Sequence, residues 1–193
     1  MSDLDRATDA VDDGDLVVFP TETVYGLGAD ALDPAAVEAV YDAKRRDRDD
    51  PISLAVPDVD AATEFVRPTE RTRRFMDAFL PGPVTVICER RDVVPDVLTG
   101  GRDRVGVRVP DHDLALSLLE RVAPVTATSA NVSGRSSARA VADLDDEIGS
   151  AAAVVLDDGE TPGGGSTVVD VEAGEVVRRG HEADEVETWL ADH

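Results

Sequence analysis

Several residue types that build covalent or redox scaffolds are nearly absent. Of 193 residues one is cysteine, Cys88, which excludes an internal disulfide framework. Lysine is as scarce: Lys44 is the only one, and every other side-chain cation is arginine. Aromatics make up 4%, so the core must be assembled from Val, Leu, Ala and Ile. There is no secretory h-region and no apolar run that could span a bilayer, so a cytoplasmic protein without membrane contact is expected. The histidines, His112, His181 and His193, lack metal-ligand spacing, and no protein-bound metal is expected. No G-x-S-x-G elbow and no P-loop occur.

Negative charge, by contrast, is abundant. Acidic residues number 41 against 19 basic, a net charge of -22. The acids are spread between apolar segments rather than gathered in a tail, and 42% of the chain is hydrophobic. That pattern describes a folded protein with an acidic surface. Such a surface repels itself unless salt screens it. A salt-accumulating cytoplasm, as in halophilic archaea, is the expectation. Only two local basic clusters exist, "KRRDR" at 44–48 and "RTRR" at 71–74. Tight autonomous RNA binding is therefore disfavoured.

Helical and extended patterns alternate along the chain. A short helix ends near Gly14, and Leu16–Phe19 reads as a strand. Asp33 caps a helix with Pro34 at its first position. Strands are expected at 52–56, 83–89, 104–110, 124–128 and 153–156, and helices from about Thr69, over 111–122, near 138–148 and over 183–191. "STVVDVEAGEVVRRG" reads as a hairpin turning at Ala173-Gly174. Helices alternating with strands, plus a hairpin, imply an α/β fold: one twisted, open, mixed sheet flanked by helices. No boundary divides 1–193, so a single domain is expected.

Five segments carry chemistry. "PTETVYGLG", Pro20–Gly28, is either a plain turn or a ligand loop at a strand's carboxyl end, with Thr hydroxyls and Tyr25 as hydrogen-bonding groups. Lys44 sits at a helix end, where any cation is favoured. A chain that otherwise uses arginine, however, keeps lysine where a compact point charge is needed, as at a triphosphate. In "VGVRVPDH", Arg108 either faces solvent on a polar strand face or grips a carboxylate bidentately. "TATSANVSGRSS" concentrates Thr128, Ser129, Asn131, Ser133, Ser136 and Ser137 after a strand. "GGGST", Gly163–Thr167, adds a third hydroxyl-bearing loop with exposed backbone. Hydroxyls, glycines, Lys and Arg suit the binding and orientation of anions, and so nucleotidyl transfer.

Together and in order, "FPTETVYGLG", "AKRR…DDPISL", "LPGPVTVI", "VGVRVPDH", "TSANVSGRSS" and "GGGSTVVDV…VRRG" resemble the YrdC-like family of threonylcarbamoyl-AMP synthases, from about Val17 to Gly180. The chain looks like the short form of that family. The resemblance implies a YrdC-like fold and a nucleotidyltransferase that joins L-threonine, bicarbonate or CO2, and ATP with Mg2+. The products are L-threonylcarbamoyladenylate and pyrophosphate. A separate tRNA-modifying transferase complex then receives the adenylate to make N6-threonylcarbamoyladenosine, so this chain needs weak or no direct tRNA binding.

By resemblance, Thr23, Arg108 and Ser166 contact threonine. Lys44 and Arg46 face the ATP phosphates and carry the catalysis. Ser129, Asn131, Ser137 and Arg178 complete the ATP site. The chain departs from the family at Asp47, Asp50, Ala55, Thr128 and Gly165; Asp47 and Asp50 add negative charge near a triphosphate, which bound Mg2+ could offset. The alternative is a non-catalytic nucleotide- or RNA-binding module of the same fold. A carbamoyl-adenylate-forming domain of hydrogenase maturation is disfavoured, because no zinc-finger or acylphosphatase segment accompanies it.

Overall fold

The structure, a computed structural model, describes residues 2–193. Its strands are β1 (Leu16–Phe19), β2 (Gly26–Gly28), β3 (Ser53–Ala55), β4 (Val66–Arg67), β5 (Val84–Arg90), β6 (Arg104–Arg108), β7 (Val125–Ser129), β8 (Ala152–Val155), β9 (Thr167–Asp170) and β10 (Glu175–Arg178). They form one open sheet in the order β10-β9-β5-β6-β3-β7-β2-β1-β8, with β4 paired to β5. The pairs β1/β8, β3/β6 and β5/β9 are parallel and the others antiparallel. The expected mixed sheet and the closing hairpin are both present.

The helices are α1 (Asp3–Asp12), α2 (Pro34–Lys44), α3 (Val59–Ala62), α4 (Glu70–Phe79), α5 (Asp96–Thr99), α6 (Asp113–Val122), α7 (Asp146–Ala151) and α8 (Ala183–Asp192). Their starts follow local chemistry. Ser2 and Asp5 form a capping box on α1, Asp33 caps α2 ahead of Pro34, and the Thr69 hydroxyl caps α4. No helix among the described residues is long and apolar enough to cross a membrane.

Period-two alternation splits the sheet into two faces. Leu16 and Val18 of β1 pack with Val37, Val40 and Tyr41 of α2. Val17 and Phe19 pack with Ala7 and Val11 of α1 and Leu118 and Leu119 of α6. The first face is continuous: Leu54, Val86, Val107 and Val169 extend the α2 core beneath the rest of the sheet. On the second face the α1–α6 core stays at the β1 side. Toward β10 the side chains of that face are Ser53, Thr85, Arg104, Gly106, Arg108 and Asp170, and they line open space.

Two expectations are corrected. Gly26–Gly28 is a strand between β1 and β7, not a closing loop. Its glycines lie flat on the Phe19 ring; a Cβ on Gly28 would sit 2.8 Å from Phe19 Cε1. The helix expected near 138–148 is a 3-10 turn at Val141–Asp143 followed by α7. The Asp143 carboxylate takes the amides of Arg139 and Ala140, and Asp145 takes the amide of Val132, so local side-chain bonds replace helical ones there. The short elements α3, β4 and α5 carry no periodic signal and were not anticipated.

Candidate functional site

The uncovered sheet face is the floor of a cavity of about 640 Å³. Its walls come from separate segments: Thr21 and Thr23 after β1, Arg46 and Asp50 after α2, Ser129 at the end of β7 and Ser137 in the loop that follows, Gly164–Ser166 before β9, and Arg178 at the end of β10. The walls after β1 and β7 are carboxyl ends of strands, where open α/β sheets leave room for ligands, and the loops leading into β3 and β9 complete them. Gly106 keeps the floor flat. A Cβ there would come within 2.2 Å of Ser53 Oγ and 2.9 Å of Thr85 Cγ2.

Arginines dominate the cavity electrostatics, against the sign of the whole chain. Arg108 does not face solvent; its guanidinium donates to Glu22 Oε1 at 2.6 Å and to Thr23 Oγ1 at 3.4 Å. Thr23 Oγ1 is also 3.0 Å from Thr21 Oγ1. Arg46 donates to the carbonyls of Asp50 and Pro51, both at 2.9 Å, and pairs with the Asp50 carboxylate at 3.1 Å. Arg178 donates to the carbonyl and hydroxyl of Ser166, at 3.0 and 3.1 Å, and that hydroxyl is 2.9 Å from Thr85 Oγ1. Arg104 forms a two-bond ion pair with Asp170. Among these four arginines only Arg178 has no carboxylate partner. Burial, then the nearby charges of Arg108 and Arg46, push its pKa down. A cation with no ion-pair partner is free to anchor an anion.

Lys44 and Asn131 stand behind this wall rather than in it. The Lys44 ammonium is buried and donates to the carbonyls of Ser129 and Asn131. Its own carbonyl accepts the amide of Ser133. Burial, and then Arg46, push its pKa down to about 8. The Asn131 amide donates to the carbonyls of Val132 and Arg135 at 2.9 and 3.0 Å, and Asn131 Oδ1 accepts from the Ser137 hydroxyl at 3.3 Å. Both side chains thus shape the Ser129–Ser137 loop.

Of the residues singled out in the sequence, Thr23, Arg46, Arg108, Ser129, Ser137, Ser166 and Arg178 line this one cavity. Tyr25 is not among them, contrary to its reading as a ligand hydrogen-bonder. It is fully buried, with its hydroxyl on Asp157 Oδ1 and the Gly159 carbonyl. Thr21, one of the threonine hydroxyls read in Pro20–Gly28, is in the wall as well, whereas sequence reading missed Thr85 and the Arg104–Asp170 pair. The signal was available for Arg104, which shares a strand face with Gly106 and Arg108. Among the described residues no group of three or more His, Cys, Asp or Glu could hold a metal ion.

A family model described as "Telomere recombination", covering Sua5, YciO and YrdC, matches residues 9–180. The chain belongs to the Sua5/YciO/YrdC family. One family member, the threonylcarbamoyl-AMP synthase of Pyrococcus abyssi, is 40% identical over 162 residues. That alignment covers 82% of this chain and 48% of the relative, so the chain spans about half the relative's length. A putative threonylcarbamoyl-AMP synthase of Methanocaldococcus jannaschii is 33% identical over 85% of this chain and 78% of its own. Among solved structures, P. abyssi Sua5 complexed with L-threonine superposes with a TM-score of 0.88 at 35% identity, covering 96% of this chain and 58% of that one. The Sua5/YciO/YrdC fold is thus shared across nearly the whole chain.

Proposed function

We propose that this chain is a single-domain nucleotidyltransferase that makes L-threonylcarbamoyladenylate from L-threonine, bicarbonate or CO2, and ATP. One observation carries the reading. In a chain of net charge -22, seven of the nine residues that match the family's substrate contacts, all but Lys44 and Asn131, converge on one arginine-lined cavity. The names of the P. abyssi and M. jannaschii relatives, and the threonine bound in P. abyssi Sua5, support the choice of substrates.

In this reading the ammonium of threonine first gives up a proton, and the neutral amine adds to CO2 and releases a second proton to leave a carbamate. A carbamate oxygen attacks the α-phosphorus of ATP, the bond from that phosphorus to the bridging oxygen breaks, and pyrophosphate leaves. Arg108, Thr23 and Ser166 hold the amino acid. Arg46 and Arg178 offset the charge of the phosphates, with Ser129 and Ser137 as hydroxyl contacts. Catalysis is then positioning plus charge stabilisation. Mg2+ arrives on the triphosphate rather than on a protein-built site. The product passes to a tRNA-modifying transferase, and the acidic surface keeps tRNA itself off this chain. The same surface suits a concentrated-salt interior.

The test is direct. Incubation with ATP, Mg2+, bicarbonate and L-threonine should release pyrophosphate only when threonine is present. Nucleotide binding without threonine-dependent release would instead favour a non-catalytic module.

A further inference from the structure

We propose that Glu22 is a specificity-determining residue: with Arg108 it makes one end of the cavity a receptor for a zwitterionic α-amino acid rather than for a simple anion. This rests on the amino-acid-activating function proposed above. Both side chains of the pair are largely buried, Arg108 12% and Glu22 15% exposed. Yet the pair is only half made. Glu22 Oε1 takes the hydrogen bond from Arg108 Nη2, while Arg108 Nε and Glu22 Oε2 are buried without a partner.

Nε and Nη2 form one edge of the guanidinium fork, the edge a carboxylate grips with two parallel bonds. A pair kept only for the fold would close both, because a buried polar atom without a partner is costly. The two vacant atoms are a donor on a cation and an acceptor on an anion. An amino acid carries the complement of each, a carboxylate and an ammonium. Thr21 and Thr23, on either side of Glu22, are in the cavity wall, whereas Glu22 stands just behind it. Its charge therefore acts across Arg108. It repels an anion that lacks an ammonium and attracts a ligand that has one, through the field of its charge and without Oε2, itself buried, touching the ligand.

The other cavity arginines sort by the same rule. Arg178 forms no ion pair with a carboxylate, and Asp50, the partner of Arg46, is largely exposed at 62%. A polyanion is favoured at that end, and a net-neutral zwitterion at the Glu22–Arg108 end.

Titration calorimetry on the full chain, with a non-hydrolysable ATP analogue present, tests this with two ligands. L-threonine has the ammonium; 3-hydroxybutyrate lacks it. The unsubstituted protein should prefer threonine by at least about tenfold, the scale of one screened charge contact. Glu22→Gln should shrink that preference about tenfold. Equal weakening of both ligands would show that Glu22 merely steadies Arg108, and would overturn the assignment. A preference well below tenfold in the unsubstituted protein overturns it without any variant, which covers a variant that fails to fold. If the unsubstituted protein binds no threonine at all, the proposed function falls first and this inference with it. Threonine binding with an unchanged ligand ratio in Glu22→Gln sinks the Glu22 role alone.

Discussion

Lys44 Nζ donates to the backbone carbonyl of Asn131 at 2.8 Å, tying the last turn of α2 to the loop that follows β7. It makes a second bond to the carbonyl of Ser129, whose residue lines the cavity. The sole lysine of the chain therefore reaches the site through the loop it holds. A guanidinium is longer and planar, and the two carbonyls here converge on a single compact ammonium.

Lys44→Ala should accordingly leave two buried carbonyls without a donor, a cost of about 1–3 kcal/mol each. We expect a lower melting temperature and a loss of threonine-dependent pyrophosphate release by orders of magnitude. Arg45→Ala should change little, because Arg45 is exposed and pairs only with Glu147 at the surface. Comparable activity in the two variants would remove Lys44 from any functional account.

The same lysine gives a pH dependence with a definite sign. Its folded pKa is lowered, from 10.5 to about 8. Between those values the unfolded chain binds the proton that the folded chain has released. Stability from this group therefore rises as pH climbs from about 8 toward 10.5, and below pH 8 the full cost of burying the charge remains. Denaturant unfolding of the protein and of Lys44→Met should show the unsubstituted chain gaining on the variant across that window. A constant difference from pH 7 to 10 would contradict the lowered pKa.

Arg178→Ala removes a cavity cation that forms no ion pair with a carboxylate. A hydrogen bond to a charged group contributes about 1.5–3 kcal/mol, so nucleotide affinity should fall roughly 10- to 100-fold. Threonine affinity should fall less. A calorimetric titration in which both ligands weaken equally would argue against a phosphate role for this residue.

Gly106→Val should fill the floor between Ser53 and Thr85. Overpacking of this kind costs about 1–3 kcal/mol. The protein should still fold, and ligand binding should be lost; retained binding would mean that the substrate does not lie across β6.

Salt should govern stability. With a net charge of -22, dilution from molar to millimolar salt should lower the melting temperature and broaden the transition. A melting curve insensitive to salt would refute the reading of the acidic surface.

Much of this molecule is legible in its sequence. The β1 strand, the Asp33–Pro34 helix start and the closing hairpin follow from local chemistry. So does the fold class, because alternation and capping are encoded within a few residues of one another. The convergence of Thr23, Arg108 and Ser166 came from ordered motifs and not from periodicity. What local pattern could not give is the far partner of a side chain. Tyr25 looked free to meet a ligand, yet Asp157 and Gly159 claim it from more than a hundred residues away. Lys44 looked aimed at phosphate, and its nearest acceptors are carbonyls of a loop eighty-five and more positions downstream. Gly26 and Gly28 read as a turn because nothing local tells that they pair with β1 and lie against the Phe19 ring. The Glu22–Arg108 pair is equally invisible until β1 and β6 are brought onto one sheet.

Strand β6 sends Arg104 and Arg108 to the same face, four residues apart, with the bare Gly106 between them. An extended backbone advances about 3.3 Å per residue, so the two guanidinium roots are spaced by about 13 Å. That stretch of backbone works as a ruler. It holds the Glu22–Arg108 and Arg104–Asp170 pairs apart as two separate charge centres along one stiff edge.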